Sequence, residues 1–223
     1  MLSERGYMVT SGPFEGADLT AIMSALECAV AEALPHQIKR GSSGTNVRVD
    51  GLLPKAPRLE ALFTHPPVLV AAKGLTGVFR LSSFHVRTVL PGSSAQLLHQ
   101  DVRPHADGWP LLGFIFMVDD FTPENGATRF VPGSQELEDM PEELLRSHPY
   151  EEHACGPAGS MILFNGSVWH GFGANLSGKP RRSVQGSLIP QNATAAVDYE
   201  RTLPAAVWKK FSDAGRAILR GSL

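Results

Sequence analysis

Cysteine is the scarcest useful residue in this chain: only Cys28 and Cys155 occur among 223 residues. They are far apart and sit in neither a CxxC nor a CxxH arrangement, which excludes a disulfide scaffold and a thiolate zinc site and fits a reducing compartment. An excess of one charge is also missing. Twenty Lys and Arg face 22 Asp and Glu, a formal net charge of −2, so there is no footprint for nucleic acid or an anionic membrane surface. Long apolar runs are absent as well. None approaches the ~20 residues of a membrane span, and the opening MLSERGYMVTSGPF has no apolar core of a signal peptide. There is no internal repeat and no low-complexity tract. These absences lead to the expectation of a cytoplasmic globular protein with no nucleic-acid and no membrane partner.

What is present is ordinary in amount and informative in order. Hydrophobic residues at 43% and charged residues at 19% suit a folded chain, and a chain of this length buries a core without crosslinks. The 22 Gly and 17 Pro are spread as punctuation, which suits short strands joined by turns. A helix is expected from Asp18 to Leu34, with Asp18 as N-cap, Leu19, Ile22, Met23, Leu26, Val30 and Leu34 on helical spacing, and Pro35 closing it. A loop with a short strand near Val47 to Val49 follows. PRLEALFTHPPVLVAAKGLTG then reads as one or two short helices interrupted by Pro66-Pro67.

From Val78 onward the segments VFRLSSFHVRTVL, LLGFIFMVDDF, ATRFVP, SMILFNG and RRSVQGSLIP are rich in β-branched and aromatic residues. Gly/Pro turns separate them, and this pattern predicts an antiparallel sandwich or barrel. Residues 135–148 read as a polar, partly helical insertion, and a last helix is expected from Ala205 to Leu219. The chain is thus expected to be one domain over residues 1–223. It is mainly β with flanking α-helices: helical support over 1–77, a β core over 78–190 and a C-terminal helix within 191–223.

Chemistry concentrates in His99-Gln100-Asp101. In a strand, residues i and i+2 share a face, so His99 and Asp101 would present an imidazole and a carboxylate together. His170, in SVWHGFGAN after the strand SMILFNG, is the natural third ligand. Two His and one carboxylate leave the opposite coordination positions open, as in non-haem Fe(II) oxygenases, and the same set suits catalytic zinc. With eight His in the chain, these three residues alone leave a metal centre and ordinary packing about equally open. Arg181-Arg182 adds weight to the first. By the period of two, one of the pair points inward, where a guanidinium is costly unless it meets a fixed anion; the alternative is that both snorkel to the rim.

These residues occur in a familiar company. QLLHQD (96–101), ENGATRFVPGSQ (124–135), GSMILFNGSVWHGFGANLSGKPRRSV (159–184) and the opening ERGYMVTSGPFEGADLTAIMSALE fall in the order seen in the phytanoyl-CoA dioxygenase family of Fe(II)/2-oxoglutarate-dependent oxygenases, which the chain resembles over nearly its whole length. The resemblance implies a double-stranded β-helix, or jelly-roll, of the cupin-like kind. It implies Fe(II), 2-oxoglutarate and O2 as cofactor and cosubstrates, with His99, Asp101 and His170 as metal ligands. Arg181, eleven after the distal His, would take the far carboxylate of 2-oxoglutarate, leaving Arg182 outward. Gln96 and Thr128 match cosubstrate-contacting positions, while Trp169 and Asn175 fit the pattern as packing and turn-shaping residues.

Because Asp101 is intact, hydroxylation or a related oxidation is implied rather than halogenation, on an unactivated C–H of a small-molecule metabolite, with release of succinate and CO2. Phe84, Thr88, Arg103, His105 and Trp109 are the expected substrate-side residues. Two departures stand out: the chain is short for the family, and PGSQ replaces the commoner PGSH. Nothing resembles a site for CoA, which points toward specialised metabolism. The rival readings are a cupin-like hydrolase or isomerase that uses the same three ligands without 2-oxoglutarate, and a ligand binder that has lost catalysis. Oligomeric state is not legible.

Overall fold

A computed structural model of the chain describes residues 2–41, 44–75, 77–104 and 108–222. Turn residues separate ten strands: β1 (Tyr7–Ser11), β2 (Ile38–Arg40), β3 (Asn46–Asp50), β4 (Phe79–Val89), β5 (Leu112–Met117), β6 (Thr128–Phe130), β7 (Glu152–Ala154), β8 (Ser160–Asn165), β9 (His170–Phe172) and β10 (Arg181–Pro190). They form a seven-stranded sheet of order β1-β8-β5-β10-β4-β3-β2 and a three-stranded sheet of order β7-β6-β9. Every strand pairing is antiparallel, and the architecture is the double-stranded β-helix.

Period-two alternation sends each strand's side chains to two different cores. In β5, Leu112, Phe114 and Phe116 turn outward and join Leu81, Phe84 and Val86 of β4 under the helices, with Ile22, Leu62, Phe63 and Ile218. Ile115 and Met117 turn inward and meet Phe130 and Ala154 of the small sheet and Ile162 and Phe164 of β8. All six β5 residues are therefore buried, as expected for a strand covered on both faces. The sheet also relies on one close approach. A Cβ on Gly186 would lie 2.3 Å from the Phe114 ring, which stands opposite it across the β10–β5 ladder.

Three expectations need correction. Beyond the expected strand near Val47 to Val49, which is β3, residues 1–77 hold more than helical support: β1 joins the edge of β8, and β2 pairs with β3 beyond β4. The first helix is Gly16–Ala31 with Glu15 at its N-cap; Asp18 sits inside the first turn and pairs with Arg58 at 2.9 Å. The expected short helices parted at the prolines are present as Ala61–Thr64 and Pro66–Ala71; Pro66 opens the second, because its missing N–H belongs to the first turn, where no partner exists anyway. The C-terminal helix is broken into Ala205–Trp208 and Asp213–Arg220. Ser212 restarts the chain as an N-cap by accepting from the Gly215 N–H, so a residue placed inside the expected helix is a boundary. The insertion over 135–148 carries short 3-10 turns at Ser134–Glu136 and Glu142–Leu144.

Candidate active site

The ligand candidates meet through backbone pairing rather than along one strand. His99 and His170 form an isolated antiparallel bridge, each N–H donating to the other's carbonyl at 3.0 and 2.9 Å, which brings their rings to 4.6 Å between centroids. Asp101 is not a strand neighbour of His99. It lies in a bend, held by its N–H to the Gly166 carbonyl at 2.9 Å. The bridge is one residue long, so the strand geometry expected for His-x-Asp is replaced by a turn that swings the carboxylate back. His99 Nε2 lies 3.8 Å from Asp101 Oδ1, and His170 Nε2 lies 3.9 Å from Asp101 Oδ2. One ligand atom from each of the three residues falls within 4.8 Å of the others.

The donor chemistry fits a divalent metal. His99 Nδ1 is 3.1 Å from the Leu97 carbonyl and His170 Nδ1 is 2.9 Å from the Val168 carbonyl. A carbonyl only accepts, so each Nδ1 carries the proton and each Nε2 lone pair faces the carboxylate. Burial, and then the neighbouring His170, push His99 down to about 4, so its imidazole is neutral as a ligand must be. Phe130 and Phe164 flank the His170 ring at 5.6 and 4.8 Å and limit its rotation.

Supports that sequence reasoning missed hold the ligand segment in place. Arg129, buried in β6, bonds both Glu151 oxygens at 3.0 and 2.9 Å and donates to the Gln96 carbonyl at 2.6 Å. The Gln100 amide donates to the carbonyls of Leu137 and Ser167, which ties the segment to the 135–148 insertion. Trp169 Nε1 also donates to Leu137 at 3.3 Å. Asn175 shapes its turn through bonds to Val89, Lys179 and Ser177.

The triad opens on a cavity of ≈ 300 Å³. Gln96 and Thr128 line it, together with His85 and Arg87 of β4 and Gln185 and Ser187 of β10. The substrate-side expectations fare differently. Phe84 and Thr88 do not line the cavity. Phe84 packs at 5.9 Å from the Phe63 ring and 6.2 Å from that of Phe114 in the helix-covered core, and Thr88 shares that face two pairs along the strand. Both faces of β4 are covered, so an aromatic residue does not mark the face of the site; the face of Ser83, His85 and Arg87 does. Arg103 is exposed, 3.6 Å from Asp139. Trp109 packs on Gly74, to whose carbonyl its N–H donates at 3.0 Å. Neither lines the cavity, and His105 lies outside the described residues.

The two adjacent arginines part ways. Arg182 turns outward and grips Asp119 and Glu27. Arg181 turns inward and is 1% exposed. Its guanidinium lies 4.3 Å over the Phe121 ring and donates to the Gly126 carbonyl at 2.8 Å and to Ser183 Oγ at 3.3 Å, while its Nε has no partner. It sits on the inner face of β10, off the wall of the cavity, and burial and nearby Arg87 both disfavour its charge. An anion reaching down this face would relieve both.

Comparison with known proteins agrees with this architecture. Residues 2–183 match the family model described as phytanoyl-CoA dioxygenase (PhyH). A protein of Alternaria alternata named Dioxygenase ALT11 is 32% identical over 151 residues, covering 62% of this chain and 48% of that protein. Dioxygenase aneA of Aspergillus aculeatus is 39% identical over 119 residues, covering 49% of this chain and 40% of that protein. The matches thus span less than half the length of these relatives. Among solved structures, HygX from Streptomyces hygroscopicus, with nickel, 2-oxoglutarate and hygromycin B bound, superposes with a TM-score of 0.69 at 17% identity over 87% of this chain and 86% of its own. EctD from S. alaskensis, with 2-oxoglutarate and 5-hydroxyectoine, gives 0.70 at 19% identity over 84% and 73%. At these identities the likeness is one of fold.

Proposed function

Since the chain belongs to the phytanoyl-CoA dioxygenase family, we propose that it is an Fe(II)- and 2-oxoglutarate-dependent dioxygenase that hydroxylates, or otherwise oxidises, a small-molecule metabolite. The observation that carries the reading is the convergence of His99, Asp101 and His170 at the mouth of a cavity. Iron with 2-oxoglutarate supplies the O2-dependent oxidation of an unactivated C–H, with succinate and CO2 as co-products. The chain itself supplies position. His99 and His170 present Nε2 in a fixed tautomer, and with Asp101 they would hold the ion while leaving room for cosubstrate and O2. Gln96 and Thr128, on the cavity wall, would orient the cosubstrate near the metal, and Arg181, buried beyond that wall on the inner face of β10, would receive its far carboxylate, so that its orientation is set before reaction. No side-chain acid or base is needed.

The relatives named as fungal dioxygenases, and the bound small molecules of HygX and EctD, support specialised metabolism as the setting. Two exposed, unbonded cysteines support a cytoplasmic location, and among the described residues no helix is long and apolar enough to cross a membrane. The test is spectroscopic: anaerobic Fe(II) with 2-oxoglutarate should give the weak visible charge-transfer band of a chelated complex. Its absence with metal bound would remove 2-oxoglutarate and leave a metallohydrolase or isomerase. A metabolite screen for substrate-stimulated succinate formation would then find the substrate.

A further inference from the structure

The cavity wall carries more unpaired buried charge than the proposed cosubstrate can satisfy. Arg87 projects from β4 into the cavity, and its bonds go to neutral groups: Nε to Gln185 Oε1 at 2.9 Å and Nη1 to Asn46 Oδ1 at 3.0 Å. The two acids whose charge it feels, Asp101 and Asp50, are engaged elsewhere. Asp50 pairs with Arg48 at 2.7 Å and Lys39 at 3.1 Å, and Asp101 belongs to the triad. Two residues earlier on the same face, His85 is 6% exposed and lines the cavity; neither ring nitrogen makes a well-formed hydrogen bond, and the Gln185 side chain is its polar neighbour. Leaving a buried polar group unpaired is costly, and such a group on a cavity wall is completed by whatever enters the cavity.

The cosubstrate cannot account for all of this. Of the two carboxylates of 2-oxoglutarate, one would lie at the metal and the other would meet Arg181. Arg87 and His85 are left over. We infer that they form a second anion subsite, and that the substrate carries a carboxylate which Arg87 and His85 anchor while the carbon to be oxidised is held toward the triad. Gln185 and Ser187, next to them on β10, complete a polar wall. A cavity of ≈ 300 Å³ favours a compact carboxylate over a bulky phosphorylated carrier. The inference rests on the dioxygenase reading for the placement of the cosubstrate.

The test uses anaerobic protein loaded with Fe(II) and saturating 2-oxoglutarate, titrated with hexanoate and with hexanamide of matched length. Binding is read from the visible charge-transfer band and from tryptophan fluorescence. Hexanoate should bind at least about tenfold more tightly than hexanamide, and Arg87→Gln and His85→Ala should each erase the preference while 2-oxoglutarate affinity stays within about twofold. No preference for the acid, including no binding of either compound, overturns the subsite. So does a loss of 2-oxoglutarate affinity in Arg87→Gln as large as in Arg181→Gln, because Arg87 would then belong to the cosubstrate. Absence of the band in the unsubstituted protein defeats the dioxygenase reading instead. If Arg87→Gln fails to fold, as judged by circular dichroism, His85→Ala carries the same comparison from the exchange of one uncharged side chain.

Discussion

The inner face of the seven-stranded sheet is two surfaces side by side. On β5 and β8 it presents Ile115, Met117, Ile162 and Phe164, which weld to Phe130 and Ala154 of the small sheet. On β4 and β10 it presents His85, Arg87, Gln185 and Ser187, and there the sandwich stays open as a cavity. The β10–β5 ladder runs unbroken across the boundary, with Ile115 and Phe164 bordering the cavity from the apolar side, so the change from closed to open follows the change in side-chain chemistry. Apolar side chains gain by closing on each other. Buried polar ones stay costly until a partner arrives. The open half is thus built for ligands, and the closed half supplies the stability that holds it open.

The comparison can be broken at several points. The largest effect is expected at the mouth of the open half, where Asp101→Ala should lower iron-dependent turnover by more than about 100-fold, since even supports of a ligand matter by ~10–100-fold; undiminished turnover would remove Asp101 from the ligand set. In the closed half, Ile162→Ala should destabilise by about 2–5 kcal/mol in denaturant unfolding, against under about 1 kcal/mol for Ser187→Ala. Similar costs at the two sites would mean that the halves do not divide the labour.

Arg181→Ala should weaken 2-oxoglutarate by roughly 10- to 100-fold while sparing metal, the scale of a lost charge-assisted pair. Arg182→Ala should leave cosubstrate affinity unchanged, and equal losses at both would assign the wrong arginine. The smallest effect concerns pH. Burial, then the charges of Arg48 and Arg87, push His85 down to about 3, so between there and the ordinary histidine value only the unfolded chain takes up this proton. Stability should rise with pH across that window and flatten above it. His85→Gln should remove up to one proton's share of the slope, about 1.4 kcal/mol per pH unit, read from unfolding midpoints between pH 4 and 7 (roughly the accessible part of the window). An unchanged slope would mean that His85 is solvated.

Legibility followed the range of the forces involved. Between Phe79 and Pro190, β4, β5, β6, β8 and β10 were visible because two-residue periodicity and Gly/Pro punctuation act locally, whereas the three-residue strands β7 and β9 were not. The same periodicity pointed to one inward arginine in the pair Arg181-Arg182, and the family resemblance named Arg181. The face of β4 that meets the cavity was not visible. Phe84 was expected there, yet the helices from the first part of the chain cover its face, and nothing within the strand announces that. The alternation His85, Arg87 against Phe84, Val86 was the available signal: polar groups on a strand that reads as buried mark the ligand side.

By itself the sequence determined the β-rich class and named the three ligand candidates and the Arg181-Arg182 pair, because these follow from residue type and short-range spacing. Only the tertiary structure decided how Asp101 reaches the two histidines through a bend, which β4 face lines the cavity, and that Arg87 stands there bonded only to the neutral Gln185 and Asn46. Those outcomes depend on which distant segments cover a surface, and packing between segments remote in sequence settles that only after the chain has folded.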